Sequence, residues 1–325
     1  MPRPMSLTIA LLCAALIGGL AQPAAAQDYP TRSITLVVPF PAGGGNDALA
    51  RIVAEKMSRS LGQQVVVENR GGAGGTIATR AVAKSAPDGY TLVLSYTGTF
   101  AINPTLYPNA GYDPRKDFAP IGPIASLPSI LVVHPSVPVR STTELISYAR
   151  ANPGKVNYGF VPGTVGHIST EMFARTAGIT LTNVPYKGNG NAIADLLGGH
   201  VQMMFLSVLP VTGNVRGGAL RGLAVTSAAR SRLVPDVPTI SEAGLPGFSA
   251  DIYYGLAAPA GTPRAIVERL NRDLRAAVAA DDANQKLVSQ GAVPLSSTPE
   301  EYVADIDADE KKWSALVKSL NLKFE

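Results

Sequence analysis

Leu36-Val37-Val38-Pro39-Phe40-Pro41-Ala42-Gly43-Gly44-Gly45-Asn46-Asp47-Ala48-Leu49-Ala50-Arg51 is the stretch whose reading decides the fold. Its first three residues are an apolar, mostly β-branched run, the pattern of a buried strand. Three glycines then let the chain turn sharply and bring bare backbone close to whatever lies above the strand end. Asn46 or Asp47 is placed to cap a helix whose Leu49, Val53, Met57 and Leu61 share one face, with Gly62 as its stop. Strand, loop and helix start together aim amide N–H groups and a positive dipole end at one point, which suits an anion. The loop is not a phosphate loop, because the Gly-Lys-Ser/Thr ending is missing and the first lysine is Lys56. A second cluster, Gly71-Gly72-Ala73-Gly74-Gly75-Thr76-Ile77, is no dinucleotide fingerprint, since Ile77 stands where the third glycine belongs. Two readings stay open for both clusters: an anion site, or plain tight turns.

Working outward to the N-terminus, residues 1–26 read as an export leader. Arg3 supplies the positive start, residues 7–20 the apolar centre, and Ala24-Ala25-Ala26 the small-residue cleavage pattern. A spanning helix needs about 20 apolar residues, so this run is too short to anchor. Cys13, the sole cysteine, leaves with the leader, which removes disulfides and thiol chemistry from the mature chain. The mature part keeps 27 of the 28 Lys and Arg residues against 24 Asp and Glu, a net +3. These charges are scattered, which speaks against a nucleic-acid partner.

Toward the C-terminus the pattern alternates strand and helix. Strands at 64–68 and 91–94, with a helix capped by Thr76, complete a β-α-β-α-β unit with parallel strands. Ligands in such sheets bind beyond the carboxyl ends of the strands, where loops 43–47, 69–75 and 95–99 gather, including Tyr96 and Thr97. A second alternating block follows, with strands at 156–160, 181–184, 201–206 and 220–225. Phe160 and Ser207 stand at its strand ends, and Gly163, Thr164 and His167 at a strand-to-helix junction. Ser141 with Glu144, and Thr298 with Glu301, form helix-opening capping boxes. The expected class is therefore α/β with two lobes, each a mostly parallel sheet flanked by helices. Residues 27–123 plus 259–325 form the first lobe and 134–251 the second, with 124–133 and 252–258 as extended crossings that leave a cleft between the lobes.

No cofactor or metal is expected. His134, His167 and His200 have no helical metal spacing, and no His-Glu-x-x-His occurs. His167 at a helix start is open to two roles, a ligand donor or a local cap. No Gly-x-Ser-x-Gly elbow exists; Ser95 and Ser207 at strand ends keep a secreted hydrolase as the rival class. Asp47 and Arg51, four apart, have the spacing of an intrahelical ion pair.

With these residues set out, the chain resembles the solute-binding proteins of tripartite tricarboxylate transporters, the Bug family. The resemblance rests on Pro39-Phe40-Pro41-Ala42-Gly43-Gly44 with Asp47 and Arg51, Glu68-Asn69-Arg70-Gly71-Gly72, Pro87-Asp88-Gly89-Tyr90 and Ile102-Asn103-Pro104. It continues through Gly163-Thr164 with His167, Val184-Pro185-Tyr186-Lys187-Gly188, Asp195-Leu196-Leu197-Gly198-Gly199 and Pro235-Asp236-Val237-Pro238-Thr239. It implies a non-enzymatic periplasmic clamp, expected to be a monomer, that closes on a small carboxylate and delivers it to a membrane permease; a ligand-sensing subunit for a signalling protein would need the same fold. The implied ligand-binding residues are Phe40, Pro41, Ala42, Gly43, Gly44, Asp47, Tyr96, Thr97, Phe160, Gly163, Thr164, His167 and Ser207. One departure stands out. After Met204-Phe205 many relatives carry an acid, whereas this chain has Leu206. The absence points to a carboxylate without an amine, mono- or dibasic, aliphatic or aromatic.

Overall fold

The computed structural model describes residues 29–322, so the expected leader lies outside the described residues. The opening unit forms as its pattern requires. Strand β1 (Ile34–Val38) leads through the glycine loop into helix α1 (Gly45–Leu61), which buries Leu49, Val53, Met57 and Leu61 and ends on Gly62 at φ 70°. The helix begins earlier than expected: Gly44 is its N-cap, in extended conformation with no side-chain cap. Strand β2 (Val65–Asn69), helix α2 (Thr76–Ala83) and strand β3 (Thr91–Tyr96) complete the unit.

Beyond it come a π-helical turn, Gly98–Ile102, and the short helix α3 (Asn103–Leu106). Strands β4 (Phe118–Leu127) and β5 (Ser129–Val133) follow, then α4 (Thr142–Ala151), β6 (Asn157–Phe160) and α5 (Val165–Ala177). Next are β7 (Thr182–Pro185), α6 (Asn189–Leu197), β8 (Met203–Ser207), α7 (Thr212–Arg216) and β9 (Arg221–Val225). The chain ends with β10 (Ile252–Pro259), α8 (Arg264–Ala279), α9 (Asp281–Ser289), β11 (Val293–Pro294) and α10 (Pro299–Ser319). Thr298 and Glu301 form the full capping box at the start of α10, and Ser141 caps α4.

Two sheets result, ordered β11-β4-β10-β3-β1-β2 and β7-β6-β8-β5-β9. Each is mixed rather than mostly parallel. A parallel nucleus, β2-β1-β3 or β7-β6-β8, is extended by antiparallel strands: β10 and β4 in the first sheet, β5 and β9 in the second. The apolar runs at 124–133 and 252–258 are thus buried sheet strands rather than free crossings. Chain transfer falls on Pro128, between Leu127 of β4 and Ser129 of β5, where the missing N–H cannot extend either ladder. The return falls at Asp251: the Ala250 amide donates to Thr226 O at 3.1 Å, and Ile252 already pairs with Leu127. One buried core runs through both lobes, from Leu36 and Leu92 through Tyr254 to Phe173, Phe205 and Trp313. Helix α10 bridges them. Its capping box sits in the first lobe, and its last turn meets α5 where Arg175 donates to Ser319 O.

Candidate functional site

The first-lobe wall is the loop after β1. Gly43 adopts φ +85°, a left-handed conformation that costs a side chain roughly 1–3 kcal/mol. Its amide donates to Asp47 Oδ2 at 3.0 Å, and Asp47 Oδ1 pairs with Arg51 Nε at 3.0 Å. Arg51 Nη2 also reaches Asn69 Oδ1 at 3.3 Å, and Asn69 Nδ2 donates to Phe40 O at 3.2 Å. Burial raises the Asp47 carboxyl, but hydrogen bonds from Arg51, Gly43 and Asn69 outweigh it and hold the group below its ordinary range. Asp47 is therefore a brace for the loop, with both oxygens engaged. Above the glycines the space is open. A Cβ built on Gly43 or Gly45 meets nothing within 4 Å, and one on Gly44 meets only Pro41 O at 3.9 Å. The space around these glycines is thus open, and α1 starts there without a side-chain cap, at the positive end of the helix.

Aromatic rings form the floor. Phe40 packs edge-on against Tyr96 at 5.2 Å, and Tyr96 lies 5.5 Å from Tyr254. The Tyr254 hydroxyl donates to Asn46 Oδ1 at 2.7 Å and shares a hydrogen bond with Ser207 of the second lobe. Burial pushes Tyr96 up to about 12 and Tyr254 further, so both phenols stay neutral.

The second-lobe wall is the start of α5. Thr164 caps it, accepting from the His167 amide at 3.3 Å and donating to Val161 O at 2.8 Å. The His167 ring stacks on Phe160 at 4.4 Å, and burial lowers its pKa to about 4, leaving it neutral. Gly166 allows the helix to sit directly on β8, because a Cβ there would lie 2.2 Å from Phe205 O.

Across the cleft the lobes touch. The Val165 amide donates to Tyr96 Oη at 3.1 Å. A Cβ on Gly74 would lie 2.9 Å from Pro162 O, one on Gly98 would lie 2.9 Å from Gly163 O, and one on Gly163 would lie 2.7 Å from Asn103 Oδ1. Buried Asn103 braces the first-lobe side of that seam, its amide donating to Gly74 O at 3.0 Å and Thr76 Oγ1 at 3.1 Å. The two lobes are thus in direct contact at this seam.

Of the expected residues, Phe40 to Gly44, Tyr96, Phe160, Gly163, Thr164, His167 and Ser207 are brought to the cleft or its seam. Asp47 stands behind it. Thr97 Oγ1 accepts from the Tyr253 amide at 2.9 Å, and Thr97 and Tyr96 both line a cavity of about 440 Å³ with Tyr302, Asp309 and Lys312. Leu206 packs into the second-lobe core with Ile130, Met204 and Val208. Ser95 Oγ is hydrogen-bonded to Tyr302 Oη at 2.8 Å, not to a base. Among the described residues no cluster of acids and histidines could hold a metal, and no helix is long and apolar enough to cross a membrane. Sequence reading passed over Asn46 as a floor residue, Asn103 as a seam residue, and Tyr254. Only the polar groups interrupting otherwise apolar runs signal them.

Two α/β lobes joined at a hinge, with the start of α5 in contact with Tyr96 of the first lobe, have the architecture of a solute-binding protein of the periplasmic type. The chain belongs to the tripartite tricarboxylate transporter receptor family, whose model matches residues 49–322. It is similar to Protein BugT of Bordetella pertussis, 38% identical over 309 residues that cover 94% of this chain and 95% of that protein. The structure of R. palustris Rpa4515 with adipate matches at a TM-score of 0.86 and 39% identity, covering 91% of this chain and 100% of that one. MatC from Rhodopseudomonas palustris with bound malate matches at 0.82 and 33% identity, covering 89% and 100%. This is a family of receptors, not enzymes, and the hydrolase reading is set aside.

Proposed function

We propose that this chain is exported to the periplasm, binds a small amine-free carboxylate between its lobes and delivers it to a tripartite tricarboxylate-type permease. One observation carries the reading: the uncapped start of α1 follows a glycine loop with open space around it, and Tyr96, packed on Phe40 of that loop, meets the start of α5 through the Val165 amide. Backbone dipoles are the charge carriers in this account. Arg51 is committed to Asp47, and Arg70 pairs with Glu68 through Nε. Asp47 is paired with Arg51 and Leu206 is apolar and buried, which supports a ligand without an ammonium group. Similar proteins solved with adipate and with malate support the ligand class. The leader pattern at 1–26 supports export.

A thermal-shift panel of adipate, malate, benzoate and amino acids tests the proposal. A true ligand at about 100 times Kd should add about 2.7 kcal/mol of stability. Stabilisation by amino acids but by none of the amine-free carboxylates would reject the ligand class. Uptake of the stabilising compound by a strain lacking this protein should fall if delivery to a permease is its role. Scattering with and without that ligand should show compaction as the lobes rotate about Pro128 and Asp251.

A further inference from the structure

A groove of about 570 Å³ lies at the hinge itself, and both transfer residues, Pro128 and Asp251, line it. Its walls come from the two lobes: residues 291–294 around β11 on one side, and 227–232 after β9 on the other. Sheet order fixes its position relative to the cleft. In the first sheet β4 and β10 separate β11 from β3, β1 and β2; in the second, β5 separates β9 from β8, β6 and β7. Cleft residues leave the ends of β1, β3, β6 and β8. Groove and cleft therefore lie on opposite sides of the hinge. A rotation that closes the cleft widens the groove, and one that opens the cleft pinches it. Here Tyr96 Oη is bonded to the Val165 amide across the cleft while the groove keeps its volume of about 570 Å³.

The groove's chemistry is specific enough to name an occupant. Arg232 is exposed and has no ion-pair partner among the described residues, while its neighbour Arg230 is held by Glu242 at 3.0 Å. Ser227 lines the groove beside them, its hydroxyl donating to Ala229 O at 2.6 Å. Across the groove Val293 is 58% exposed, the largest exposure among the exposed large hydrophobic residues described. Asp251 contributes a buried Oδ1 that accepts no hydrogen bond. Burial pushes this carboxyl up to about 6, with Lys312 pulling it down and Asp309 pushing it up.

We propose that this groove is a second ligand site, for a small organic anion that carries an apolar body and one hydrogen-bond donor, and that its occupancy holds the clamp closed. Arg232 takes the anionic group, Asp251 accepts the donor, and Val293 covers the apolar body. A molecule seated there must be expelled before the groove can be pinched, so it binds the closed state better and shifts the population toward it. By linkage, closing the cleft on its own ligand raises affinity at the groove by the same factor.

The test needs no cleft ligand, so its failure is distinct from failure of the carboxylate reading. Cysteines at Val66→Cys and Leu197→Cys, both exposed and one in each lobe, carry spin labels; Cys13 is the only native cysteine. 1-Anilinonaphthalene-8-sulfonate, an aromatic sulfonate with one N–H donor, is the probe. It should bind saturably, shift the interlobe distances to the closed population, and lose about tenfold or more in affinity in Arg232→Glu. A wedge, Ala228→Trp, placed at an exposed groove position, should shift the distances the same way without any probe. Probe binding indifferent to Arg232→Glu overturns the site. Distances that stay put or lengthen with the wedge overturn the coupling.

Discussion

The two glycine-rich loops of the first lobe have similar composition and opposite surroundings. In the loop after β1, added Cβ atoms on Gly43 and Gly45 would meet nothing within 4 Å. In the loop after β2, a Cβ on Gly72 would lie 2.8 Å from Ile77 Cδ1, on Gly74 2.9 Å from Pro162 O, and on Gly75 2.8 Å from Thr99 Cγ2. Around the first loop's glycines the space is open, as the proposed carboxylate would need to approach the backbone. The second keeps them because protein already fills the space, including the opposite lobe. Glycine content reports close approach; only the neighbours say by what.

The largest effect should fall in the crowded loop. Gly75→Val adds left-handed strain at φ +93° to contact with Thr99 and Pro39, together costing about 4 kcal/mol of folding stability. Urea unfolding checks it, and a wild-type midpoint would mean the loop is not jammed.

Next in size is an acid effect across the cleft, where α5 supplies the facing wall. His167 has its pKa lowered from 6.5 to about 4 by burial, so the unfolded chain takes up the proton first. Stability should fall as pH drops from about 6.5 to about 4, by up to about 3 kcal/mol. His167→Gln should flatten that segment of the stability-versus-pH curve; an equally steep curve would assign the loss to other groups.

In the open loop, Gly44→Val should leave folding near wild type, because Gly44 is extended at φ −88° and its Cβ meets only Pro41 O. Its side chain would occupy the approach to the amides. Losing one or two charge-assisted hydrogen bonds costs about 3 kcal/mol, roughly a hundredfold in Kd by calorimetric titration with adipate or whichever carboxylate stabilises the protein. Unchanged affinity beside unchanged stability would remove this loop from recognition.

The smallest effects belong to the arginines. Arg51 is 54% exposed and acts on the loop only through Asp47 and Asn69, so Arg51→Ala should cost about 1 kcal/mol or less, and Arg70→Ala still less. An arginine variant that abolished binding while Gly44→Val retained it would replace the backbone account with a side-chain clamp.

Much of the fold was legible because its signals are local. The apolar run 36–38, the face of Leu49, Val53, Met57 and Leu61, and the caps Ser141 and Thr298 each act within a few residues, and each forms the element its spacing predicts. The pairing of Arg51 with Asp47 follows from the same short-range geometry. Apolar run 252–258 shows the limit. Its composition marks a buried strand, but only the sheet decides that it lies antiparallel between β3 and β4 instead of bridging the lobes.

The site divides in the same way. Sequence placed the glycine loop and the α5 start at strand ends, and the resemblance gathered them into one cleft. It did not show that the Gly43 amide would be used by Asp47, or that Thr97 would turn toward Tyr253 and α10 while its neighbour Tyr96 crossed to the Val165 amide. Nor did it bring Tyr254 to Asn46, 208 positions earlier in the chain. Caps and periodicity are set by neighbours along the chain, which a sequence contains. Which hydroxyl meets which amide across a cleft depends on how the two lobes are held together, and Pro128, Asp251 and the bridging helix α10 fix that only in three dimensions.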